Sequence, residues 1–83
     1  MFRVESVLQG KTVHVIVRQL QQVPFAILKG SELGTCKLKQ SIGQPRALKS
    51  DGSPDFDLFV FYLADGNDKN RIVAGREYEL TSN

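Results

Sequence analysis

The chain has 83 residues, 41% hydrophobic and 24% charged, with a net charge of +2. That length leaves room for one compact core, so a single domain over 1–83 is expected, and the composition excludes a disordered or fibrous chain. A lone cysteine, Cys36, rules out an intrachain disulfide and suits a reducing, cytoplasmic setting. No apolar run reaches the ~20 residues that span a bilayer, and neither MFRVESVLQG nor the closing LTSN reads as a leader or lipidation signal, so no membrane attachment is expected. A core this small holds a thin margin over conformational entropy, which self-association would widen.

Charge is unevenly distributed. Residues 1–50 hold eight Lys or Arg against two acids, a balance of +6, while residues 51–83 hold three against seven, a balance of −4. Such polarity steers anionic partners or supports contact between copies.

In chain order, FRVESVL alternates with the period of a half-buried strand, Phe2, Val4 and Ser6 sharing one face. A turn at Gly10 separates it from TVHVIVRQL, whose apolar positions fit helical and strand spacing alike. Five of the six residues Thr12–Val17 are β-branched, which favours a strand and hence a hairpin about Gly10. Pro24 punctuates the chain before a short expected strand, FAIL at Phe25–Leu28. KGSELG reads as a loop, and TCKLK as an amphipathic strand with Cys36 and Leu38 on one face and Lys37 and Lys39 on the other. Residues 40–55 hold Gly43, Pro45, Gly52 and Pro54 with little periodicity and read as one long basic loop, of a length often tied to function.

The central strand, FDLFVFYL at Phe56–Leu63, is apolar on both faces: Phe56, Leu58, Val60 and Tyr62 on one, Phe59, Phe61 and Leu63 beside Asp57 on the other. Asp65-Gly66-Asn67 signals a turn, RIV a further strand, Ala74-Gly75 a bend, and REYELT a last strand with Tyr78 and Leu80 inward. Six or seven short strands with turns between them define an all-β fold, a small curled sheet or barrel of OB or SH3-like type, because closure removes exposed edges. MFRVE and the succession of FVFYLADG and AGREYEL loosely resemble the small single-strand-binding OB proteins of filamentous phages. The shared pattern occurs in many β-folds; it carries over no binding residue and assigns no family.

The inventory of reactive groups argues against an enzyme. His14 is the only histidine, and Cys36 reads as a small core residue rather than a nucleophile. No metal or other cofactor is expected: DGSPDFD and DGNDKN lack the calcium-loop spacing, and the glycines form no phosphate-cradling array. The basic segment Lys37–Lys49 is the functional candidate. Lys37, Lys39, Arg46 and Lys49, extended by Lys11 and Arg18, would contact the phosphates of single-stranded DNA or RNA, with Phe59 and Phe61 as stacking or interface surfaces. The alternative is an assembly subunit, a homo-oligomer (dimer or higher) joined through the apolar face of the central strand.

Overall fold

The computed structural model describes residues 1–81; Ser82 and Asn83, which end the LTSN tail, lie outside the described residues. Seven antiparallel strands, β1 (Phe2–Gln9), β2 (Val13–Gln19), β3 (Glu32–Leu33), β4 (Cys36–Gly43), β5 (Leu58–Leu63), β6 (Glu77–Tyr78) and β7 (Leu80–Thr81), form one sheet. Their order is β6-β1-β2-β5-β4-β3-β7. Because β6 and β7 are nearly continuous, the segment 77–81 touches both ends of that order. It pairs Tyr78 with Phe2 on one side and Leu80 with Leu33 on the other, curling the sheet into a nearly closed barrel. The bonds Val4 N–H to Arg76 O (2.9 Å), Gly75 N–H to Val4 O (2.7 Å) and Gly34 N–H to Glu79 O (2.9 Å) extend the closure.

The β-branched run Thr12–Val17 does form a strand, hairpinned to β1 across Gly10. Val13, Val15 and Val17 alternate into the core, leaving His14, Ile16 and Arg18 outside. On β1 the inward set is Phe2, Val4 and Val7 in place of Ser6. A bulge between Val4 and Ser6 inserts Glu5 as an extra residue and flips the alternation beyond it.

Several expected elements differ. FAIL alternates in burial, Phe25 and Ile27 half-buried and Ala26 and Leu28 exposed, but pairs with no strand among the described residues, so it is not part of the sheet. Glu32 and Leu33 within KGSELG form β3, because Leu33 is fully buried and its neighbours supply ladder partners on both sides. The turn at Asp65 opens a 3-10 helix, Gly66–Arg71, started by the Asp65 carboxylate accepting from Asn67 N–H at 2.9 Å. Arg71 therefore ends a helix, and Ile72, extended and buried, has no ladder partner where RIV had suggested a strand. The long loop starts at 44, since β4 runs on to Gly43. It folds back on itself through a Leu48–Pro54 bridge, with Lys49 N–H bonded to Ser53 O (2.8 Å) and Asp55 N–H to Ala47 O (2.9 Å).

The core gathers Phe2, Val4, Val15, Val17, Leu33, Cys36, Leu38, Phe61, Leu63 and Ile72. Phe61 packs edge-on against Phe2 (5.2 Å between ring centres) and Phe25 (5.9 Å). The Phe59–Phe61–Leu63 face of β5 is thus the barrel interior, covered by the chain's own Phe2 and Phe25. Among the described residues no helix is long and apolar enough to cross a membrane.

Candidate functional site

With Phe61 and Leu63 turned inward, alternation puts Leu58, Val60 and Tyr62 on the outside of β5, each half-buried. The strand register sets His14 beside Tyr62, Ile16 beside Val60 and Arg18 beside Leu58. The rings of His14 and Tyr62 lie 5.8 Å apart and tilted by 39°. On the other flank β4 carries a wide irregularity: Leu38 pairs with Leu63 and Ile42 with Phe61, so Lys39, Gln40 and Ser41 together stand against Tyr62. Gly43 lies beneath the Tyr62 hydroxyl, where a Cβ would come within 3.2 Å of it, so the missing side chain lets the tyrosine lie across β4.

A cleft adjoins each end of β5. Beyond Leu63, a cleft of about 480 Å³ is lined by Lys11, Lys39 and Lys69 with Asp65 and Asn67. Lys69 Nζ donates to Gln9 Oε1 at 3.3 Å, and the one carboxylate there, Asp65, is occupied in capping the 3-10 helix. Before Leu58, a mostly apolar cleft of about 540 Å³ is lined by Arg46, Ala47, Leu48, Pro54 and Phe56 among others. Phe56 is 68% exposed and Leu48 70%, and Gln44 Nε2 donates to Phe56 O at 3.2 Å.

The hairpin bearing Arg46 and Lys49 is fastened to the barrel by one ion-pair hub. Arg18 Nη2 lies 3.0 Å from Oδ2 of the buried Asp55, and Arg18 Nε donates to Glu5 Oε1 at 2.8 Å, with Arg3 on the same Glu5 oxygen at 3.2 Å. Hydrogen bonding to Arg18 holds both the Asp55 and the Glu5 carboxyls below the usual range, and the two carboxylates in turn raise the Arg18 guanidinium.

The residues singled out from the sequence therefore divide. Lys11 and Lys39 share a cleft, joined by Lys69, while Arg46 lines the opposite cleft and Lys49 sits on the hairpin. Lys37 is exposed on β4, opposite Glu32 in the register. Arg18 is engaged by two carboxylates. Phe61 is fully enclosed and offers no ring face, and Phe59 is half-buried, edge-on to Phe25 at 5.0 Å. Phe56 is the exposed aromatic ring, and Tyr62 and His14 are half-buried on the outer faces of β5 and β2. The period-2 pattern places Phe56 and Tyr62 on one face of a strand Phe56–Leu63, but β5 begins at Leu58 with Phe56 and Asp57 in the turn before it, and alternation along one strand does not say which face is outward.

Cys36 is buried, its thiol pushed up chiefly by desolvation, with Sγ 3.7 Å from Asp68 O. Asp51 accepts from Ser53 N–H (3.0 Å) and Oγ–H (2.6 Å), so its loop is closed by an Asx turn. Among the described residues no cluster of three His, Cys, Asp or Glu is placed to hold a metal. The fold and surface define a small, nearly closed antiparallel barrel with an aromatic strand exterior between two cation-bearing clefts. Comparison with protein-family models, curated proteins and solved structures gives no match.

Proposed function

We propose that the protein binds single-stranded nucleic acid along the exterior of β5, without catalysing a reaction on it. The observation that carries this reading is the outward row Leu58, Val60 and Tyr62 of β5, preceded by the exposed Phe56 in the adjoining turn, with Arg46 near one end and Lys11, Lys39 and Lys69 near the other. Six strand residues extend over roughly 20 Å. Bases would stack on Phe56 and on the Tyr62–His14 pair, while the lysines and Arg46 neutralise phosphates. This is the division of labour by which strand-face barrels hold single strands without reading their sequence. Arg18 takes no phosphate in this arrangement; it holds the Arg46 hairpin in place.

Oligonucleotide titration at several salt concentrations tests the reading. Affinity should fall steeply with salt, and Lys39→Ala should flatten the logarithmic slope by about one unit. Tyr62→Ala or Phe56→Ala should weaken binding by about 1–3 kcal/mol, from about fivefold to over a hundredfold, at unchanged slope. An absence of binding at low salt, or binding indifferent to both aromatic substitutions, would remove the proposal.

A further inference from the structure

The segment 23–28 has the pattern of a strand without a strand's neighbour. Phe25 and Ile27 pack half-buried on the core while Ala26 and Leu28 face outward, with Val23 56% and Leu28 47% exposed. Its main-chain groups divide unequally between the two edges. In an extended chain, alternate residues aim N–H and C=O at the same edge. On the even edge Pro24 has no N–H, Leu28 N–H is bonded to Ser31 Oγ (2.8 Å) and Leu28 O accepts from Ser31 N–H (3.0 Å), so Ala26 is the one residue there with both groups open among the described residues. On the odd edge the N–H and C=O of both Phe25 and Ile27 have no partner among the described residues.

We propose that this odd edge pairs antiparallel with the same edge of a second copy, on a two-fold axis through Ala26. Phe25 of each copy then exchanges N–H and C=O bonds with Ile27 of the other, which pairs the four odd-edge groups that have no partner among the described residues. Ala26 meets its own copy in the non-hydrogen-bonded site, where Cα atoms approach to about 4.5 Å. Pro24, unable to donate, points away from the ladder.

Charge supports a copy of this chain as the occupant. A two-fold axis brings each nearby residue close to itself, so any charge there repels its own image. Gln19–Leu28 is the longest run in the chain without a charged residue. In this register Lys29 falls opposite Val23 of the second copy, at the far end from the other Lys29. Met1, Val23 and Pro24, which line one shallow cleft with Phe25, widen the apolar contact.

Light scattering on the full chain over a wide concentration range is the test, with Ala26→Glu and Ala26→Cys variants. The mass should rise from monomer toward twice that value, and Ala26→Glu should hold it at monomer with an unchanged far-ultraviolet spectrum. Independently of any folding defect in that variant, Ala26→Cys should cross-link into a covalent dimer on mild oxidation, because a Cα separation near 4.5 Å lies within the disulfide range of ~4.4–6.8 Å. A Val60→Cys control, on the β5 exterior, should not cross-link. A mass that stays monomeric, a dimer that survives Ala26→Glu, or cross-linking through Val60→Cys alone would overturn the proposal.

Discussion

Arg18 shows how one side chain ties distant parts of the chain together. It reaches Glu5 on the bulge of β1 and Asp55 at the end of the basic hairpin, across 37 residues of sequence. Since both carboxyls are held below their ordinary values, the folded state favours their charged forms. Their contribution is complete above the usual carboxylate range and is lost as pH falls through it, below about 4. Urea midpoints measured from neutral to acid pH should therefore decline in the wild type, and Asp55→Asn should show a lower midpoint at neutral pH and a shallower decline. An identical pH profile in the two proteins would show that the hub carries no stability. No spacing along the sequence announces this hub. A cation beside a basic segment reads as a phosphate contact until the carboxylates that fold against it are seen.

Short elements close this barrel, and glycine geometry permits one of them. Gly34, which links β3 to β4, has φ +62°, and a Cβ there would lie 2.9 Å from Tyr78 Cδ1. The Tyr78 ring has little freedom to move aside, because its hydroxyl accepts from Val73 N–H at 2.9 Å. Gly34→Ala combines a left-handed backbone with a clash at the closing strand, so a loss on the order of 1–2 kcal/mol or more is expected in chemical denaturation. Neither β3 nor β6 nor β7 was legible as a separate strand, since two residues carry no periodicity. By contrast β2, with its β-branched run, and β5, with alternating large side chains, declared themselves through propensity alone. FAIL and RIV have strand composition yet no ladder partner among the described residues, because pairing depends on what lies alongside.

For the molecule as a whole, stability depends on a very small interior. Domains of this size hold about 0.05–0.15 kcal/mol per residue, whereas removing a buried aromatic ring costs roughly 3–5 kcal/mol. Phe61, fully enclosed where Phe2 and Phe25 meet, is the ring whose loss the fold tolerates least. Phe61→Ala should abolish the cooperative thermal transition or lower its midpoint severely, while the exposed Phe56→Ala should leave it nearly unchanged. Equal effects of the two would contradict the placement of β5. The polarity of charge is partly internal: Arg3 and Arg18 meet Glu5 and Asp55, and Glu77 sits opposite Arg3 in the register. Lys11, Lys39 and Lys69 beside β5 carry no ion pair among the described residues, and the expected salt dependence of binding rests on them with Arg46.

Composition, β-branching and turn residues by themselves determined that this chain is all-β, that β1 and β2 form a hairpin, and that β5 is central, because these features depend on local sterics and period-2 burial. They also marked the cations Lys11, Lys39 and Arg46. Only the tertiary structure decided which face of β5 is interior, since both faces are apolar and the choice rests on Phe2 and Phe25 arriving from elsewhere. That decision moved the accessible aromatic surface from Phe59 and Phe61 to Phe56 and Tyr62, and brought Lys69 beside Lys11 and Lys39. The physical reason is the same in each case: propensity acts along the chain, whereas burial and charge pairing act across contacts between segments far apart in it.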